Sequence, residues 1–174
     1  MFFASLGNYL DEFDALIIND FGLGSIWVSI ILTVRFVFVA LGNLVAPKLQ
    51  NKISSVRQIF ILGVIACALL TLFALMWSRY AIPIFGLSFM IMAVTEVLLI
   101  NITQKEIKDE GRATVMSFYS VGQNIVMIGF CLIYALLAGI FALQQVYVII
   151  SVYGIIGGIV FYLLLKTKTK INKI

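Results

Sequence analysis

The stretch from Gln104 to Ser117, QKEIKDEGRATVMS, holds six charged side chains and stands between two long apolar runs. Such a cluster cannot sit in hydrocarbon, which solvates neither ions nor unpaired backbone, so it marks a water-facing turn between two membrane spans. The flanking runs are continuous and about 20 residues or longer, the length a helix needs to cross roughly 30 Å of hydrocarbon. A barrel would instead show short segments with every second residue apolar. Only 11% of the 174 residues are charged and the mean hydropathy is +1.12, whereas a soluble domain is about 25% charged. The fold class is therefore all-α, a polytopic helical membrane protein.

In chain order, residues 1–10 are apolar enough to be embedded but only about half a span in length. They read as the last half of a helix, with an amphipathic helix lying on the surface as the other reading. A secretory signal would open with basic residues and close on a small-residue cleavage site, and neither is present. Residues 11–24 form an outer acidic loop carrying Asp11, Glu12, Asp14 and Asp20. Five full spans are expected over about 25–46, 58–77, 81–103, 113–141 and 146–165. Gly22 and Gly24 open the first, and Pro47 with Lys48 closes it. The uncharged run from Ala113 to Leu143 exceeds one bilayer thickness and predicts a tilted or projecting helix. A basic tail, 166–174, ends the chain.

Charge sorts the loops cleanly. Segments 48–57, 105–112 and the tail lie on one side of the membrane and carry ten of the twelve Lys and Arg residues, while the other side carries only Arg79. Basic loops face the cytoplasm, so the tail is expected inside and the acidic loop outside. Adding or removing one span would scramble that split. With a helix ahead of Leu10, the spans group as three plus three, the arrangement of inverted three-helix repeats within one half of many transporters.

The stretch EIKDEGRATVMSFYSVGQN, together with GNLVAPKLQNK at the end of the first full span, resembles the carboxy-terminal half of a major facilitator superfamily transporter. The Arg-Ala-Thr-apolar-x-Ser segment that opens the eleventh helix in that family is matched by Arg112, Ala113, Thr114, Val115, Met116 and Ser117. The Gly-x-Leu-x-x-x-basic turn after the eighth helix is matched by Gly42, Leu44 and Lys48, but Ala46 stands about where the family often has an acid. That departure argues against charge-relay gating through this loop. The resemblance covers essentially the whole chain, from the end of a seventh helix through a twelfth, and implies a substrate cavity between two six-helix halves.

Apart from any family, Arg112 opens a helix where the dipole does not favour a cation, so Asp109, Glu110 or a lipid phosphate should hold it; topology anchoring is its bland role. Thr114 and Ser117 are small enough to let helices approach. Arg35 and Glu96 are the two ionisable residues inside spans. Arg35 is about ten residues into the first, and Glu96 about thirteen beyond Pro83, which suggests broadly similar depth. An unpaired charge there costs about 3 kcal/mol on the insertion scale, so both should face protein or water. Arg35 would bind an anionic substrate group or balance Glu96, and Glu96 would bind a cation or carry a coupling proton; a purely structural Arg35–Glu96 pair is the alternative. Gln123 and Asn124 would line the same cavity or bond across helices. Asn101 and Thr103 form a glycosylation sequon on the side expected to be cytoplasmic, where it would stay unmodified. The tyrosines, including Tyr119, read as interface or packing residues, and Gly154, Gly157 and Gly158 as a flat helix face.

Enzyme chemistry finds little support in the sequence. The chain has no His, and Cys67 and Cys131 are isolated within spans, suggesting neither a metal site nor a disulfide. No phosphate-binding glycine loop is present, and no cofactor is implied. The expected function is therefore part of a secondary active transporter working by alternating access, a truncated or split half that needs a missing N-terminal half or a second copy. The small solute is undefined, and nucleic acid is not an expected partner. The competing reading is a small non-transporting membrane protein that packs with partner subunits. Water around Arg35 and Glu96 would separate the two. The Lys-, Ile- and Asn-rich style suggests a bacterial inner membrane, with the carboxy terminus cytoplasmic.

Overall fold

The computed structural model describes residues 10, 13–53, 55–107 and 111–171. The partial helix expected over 1–10 therefore lies, Leu10 apart, outside the described residues, as do the centre of the charged loop and the end of the tail. A short helix α1 (Asp14–Asp20) precedes five long ones: α2 (Ser25–Leu49), α3 (Val56–Met76), α4 (Ile82–Glu106), α5 (Arg112–Ala138) and α6 (Leu143–Ile171). All five are long and apolar enough to cross a membrane.

The helix ends follow local chemistry. Ser55 caps α3: its hydroxyl oxygen accepts from the Arg57 N–H, while the Gln58 side chain accepts from the Ser55 N–H. A 3-10 turn, Arg79–Ala81, leads into α4, where Pro83 sits in the first turn. Pro47 does not close α2. The helix runs through it to Leu49, because a proline one turn from the end removes a single backbone bond that the capping contact of the Gln50 N–H with the Ala46 carbonyl follows directly. Likewise α5 stops at Ala138, ahead of Gly139, so the long uncharged run is divided between a helix and a turn.

Two packing modes build the bundle. Helices α3 and α6 run antiparallel, joined by Thr71 Oγ1 to Ser151 Oγ at 2.9 Å and by Gln144 Nε2 to the Ala74 carbonyl at 2.9 Å. That register brings Gly63 to the level of Gly158, and both are buried. Gly154 is buried as well, so small residues do flatten the α6 face. Helices α2 and α4 run in the same direction and touch at glycines. A Cβ on Gly42 would strike the Met90 carbonyl oxygen, and one on Gly86 would strike the Phe38 ring. The main core joins α1, α3, α4, α5 and α6 through Ile17, Leu70, Phe73, Phe85, Phe130 and Tyr147.

Helices α2 and α5 are the least buried spans, at 17% and 11% of their apolar windows. Their exposed surfaces divide in the same way. On α5, Ser117, Ser120, Asn124 and Cys131 recur at three-, four- and seven-residue steps along one exposed stripe, and Phe118, Ile125, Leu132 and Leu136 along the next. On α2, Ser29, Thr33, Ala40 and Asn43 form the small or polar stripe, and Ile30, Val34, Val37, Leu41 and Leu44 the bulky one. Lipid suits the bulky stripes and not the polar ones.

Candidate functional site

The polar groups of the spans gather at two levels. Phe38 meets Gly86 and Gly42 meets Met90, the same offset in both contacts, so α2 and α4 share one register. On that register Arg35 is level with Pro83 and Glu96 with Lys48, about 13 residues or roughly 20 Å apart along the bundle. The broadly similar depth expected from span lengths does not hold, because α2 and α4 are staggered. Span length sets where a helix begins, whereas the glycine contacts set how far it slides past its neighbour.

Arg35 belongs to the level of the acidic loop. It is 3% exposed and shares its buried face with Ile31, Gly42 and Ala46. Its guanidinium carbon lies 4.6 Å from the Phe36 ring centre and 5.0 Å from that of Phe89, so two aromatic faces receive the cation. Even there, two turns of α4, about 10 Å, separate Phe89 from Glu96. The same end of the bundle carries an aromatic cluster around Trp77, which ends α3 in the left-handed region at φ 34°. Its indole N–H donates to Asp20 Oδ2 at 2.6 Å, and Phe21, Phe73 and Tyr147 pack within 6 Å of its ring centre. Those contacts hold a backbone conformation that tryptophan rarely adopts.

Glu96 belongs to the level of the basic loops. It is half-buried, and its Oε1 accepts from Gln123 Nε2 of α5 at 3.3 Å. Glu96 and Gln123 are thus brought together. Asn124, the next residue on α5, points to the exposed polar stripe. Tyr119, one turn before Gln123, is buried, and its hydroxyl has no hydrogen-bond partner among the described residues. In the sequence it reads as a packing tyrosine, and its four-residue spacing from Gln123 puts both on one face of α5.

The loop-motif residues do not join this cluster. Gly42 is buried against α4, Lys48 is exposed in the last turn of α2, and Thr114 and Ser117 are exposed on α5, with the Ser117 hydroxyl donating to the Ala113 carbonyl at 3.0 Å. Arg112 opens α5, and its side chain lies outside the described residues. Asn101 donates to Gln50 Oε1 at 3.3 Å, tying the end of α4 to that of α2.

The Major Facilitator Superfamily model matches residues 1–173. This chain belongs to the major facilitator superfamily. No curated protein and no solved structure matched it. Membership, with five spanning helices, makes the chain an integral membrane protein of transporter type.

Proposed function

We propose that this major facilitator superfamily chain acts as one half of a secondary transporter, moving a small solute by alternating access with a coupling proton on Glu96. The observation that carries the reading is the Glu96–Gln123 contact, a half-buried carboxylate at membrane depth held across two helices. A carboxylate there is retained where it exchanges a proton or meets a polar solute. Arg35, at the other level, supplies a buried cation for an anionic group on the solute. It acts at a separate point of the path and not as the counter-ion of Glu96.

A second helical body, either a separate half or another copy, fits the polar stripes of α2 and α5. Ser29, Thr33 and Asn43 on one, and Ser117 and Asn124 on the other, want water or protein against them. The bias of Lys and Arg favours a cytoplasmic carboxy terminus, and a bacterial inner membrane is the setting we assign. The test is labelling of single cysteines at 96 and 124, with Cys67 and Cys131 replaced, in membranes containing the full chain. A water-soluble thiol reagent should modify both positions. Protection of both, while a cysteine at 105 is modified, would overturn the hydrated path.

A further inference from the structure

At the level of the basic loops, Phe60, Ile61, Val64 and Ile65 of α3 face Ile159 and Tyr162 of α6 across an apolar groove of about 170 Å³. Ile61, Ile65 and Ile159 are exposed along it, so the groove is open at the surface of the bundle. It has room for part of one hydrocarbon chain and much less than a drug-sized ligand fills. Helices in membranes approach one another on small residues, whereas these walls are aromatic and branched. A flexible chain therefore suits the groove better than a second helix does. The α3 walls lie roughly 6–14 Å beyond Val56, where that helix starts, which is within one leaflet of a hydrocarbon core about 30 Å thick. Beyond Tyr162 the same face of α6 turns basic: positions 162, 166 and 170 follow Ile159 at three-, seven- and eleven-residue steps, and Lys stands at 166 and 170. On α3, Arg57 precedes Ile61 by four residues and Val64 by seven. Neither helix carries an acidic residue, so the charge at this end of the groove is positive on both. An apolar groove that ends on cations at headgroup depth has the two-part chemistry of an anionic phospholipid.

We propose that this groove binds an anionic phospholipid, with one acyl chain between α3 and α6 and the phosphate held by Lys166 and Lys170 of α6 and Arg57 of α3. Basic segments next to a span concentrate anionic lipids near them in any case. The groove adds a seat for the chain, so that one lipid is retained. The Thr71–Ser151 and Gln144–Ala74 hydrogen bonds join α3 to α6 toward the opposite end, and the lipid bridges the two helices at this one. The site does not depend on the role of Glu96.

The test uses the purified full chain, stripped of lipid in mild detergent and titrated with phosphatidylglycerol or with phosphatidylcholine of the same acyl chains, with native mass spectrometry counting the lipids bound. The first phosphatidylglycerol should bind about tenfold more tightly than the first phosphatidylcholine. Lys166→Gln with Lys170→Gln should cut that preference to about twofold. Lys52→Gln with Lys105→Gln removes the same charge from exposed positions off these two helices and should leave the preference intact. Val64→Phe, which fills the groove, should weaken binding of both lipids about tenfold. Thermal unfolding checks that this variant stays folded, and Ile65→Phe, at an exposed wall position, replaces it if it does not. Equal affinity for the two lipids overturns the proposal, as does a preference lost to the same extent in both lysine pairs, which would mean diffuse charge alone. Wild-type lipid binding in the filled groove overturns it as well. A dimer mass that Val64→Phe abolishes, with no lipid retained, would put a second copy of the chain in the groove and overturn it too.

Discussion

Gln123 donates its side-chain amide to Glu96 across 3.3 Å, joining α5 to α4 at the level of the basic loops. The two partners are not equivalent on deletion. Glu96→Gln keeps an acceptor for Gln123 and removes a charge that is expensive at this depth, so its cost in stability should be small. Gln123→Leu leaves a half-buried carboxylate one donor short and should destabilise by about 1–2 kcal/mol. Denaturant unfolding in detergent micelles checks the order: Gln123→Leu below Glu96→Gln, and the double variant no worse than Gln123→Leu alone.

The stagger of α2 against α4 rests on Gly42. Gly42→Ala drives a methyl group into the Met90 carbonyl, a backbone atom that cannot rotate away, so a loss of about 2 kcal/mol is expected. Gly129 of α5 provides the contrast, because nothing lies within 4 Å of a Cβ added there. Gly129→Ala should be neutral or should gain up to about 1 kcal/mol from helix propensity. Thermal unfolding of the two variants side by side tests this, and equal losses would sink the assigned register.

Much of the fold is legible in the sequence, since spanning helices are dictated by apolar run length and loop sides by charge. Arg35 and Glu96 stand out because ionisable residues are rare in spans. Their separation is not legible: it depends on where Gly42 and Gly86 let α2 slide past α4, and no property of either span alone encodes that contact. Tyr119 is hidden for a related reason. A tyrosine in a span reads as packing until its hydroxyl is found buried without a hydrogen-bond partner among the described residues. Pro47 misleads in the opposite direction, because a proline this close to a helix end can be carried within it.

At the other end of the bundle, the Trp77–Asp20 bond ties α1 to α3. Trp77→Phe keeps an aromatic ring and loses the donor, while Asp20→Ala loses the acceptor. Each should cost about 1 kcal/mol, and the pair about as much as the worse single change, because both remove the same bond. Additive losses in a double-mutant cycle would mean that the two side chains act separately.

Arg35 meets two ring faces, and a lysine cannot reproduce that contact with its compact, strongly hydrated ammonium. Arg35→Lys should therefore lose about 1 kcal/mol although the charge is kept. Phe89→Leu, which removes one of the two rings, should lower stability less in an Arg35→Lys background than in wild type. Thermal unfolding of the four proteins gives that coupling directly.

The two native cysteines report on what lies against the polar stripe of α5. Cys67 is fully buried in the core between α3 and α6, whereas Cys131 is exposed two turns along the stripe from Asn124. Thiol modification proceeds through the thiolate, which needs water or a positive neighbour to form. In membranes, a water-soluble maleimide should thus modify one cysteine per chain, lost in Cys131→Ser and kept in Cys67→Ala. If Cys131 faced lipid, a hydrophobic reagent would reach it and the water-soluble one would not. If a second helical body covers the stripe, Cys131 should be protected in membranes and become reactive once mild detergent separates the two. Hydration and coverage by protein both fit a small, polar helix face, and only lipid exposure contradicts the assignment of that stripe to the transport path or its partner.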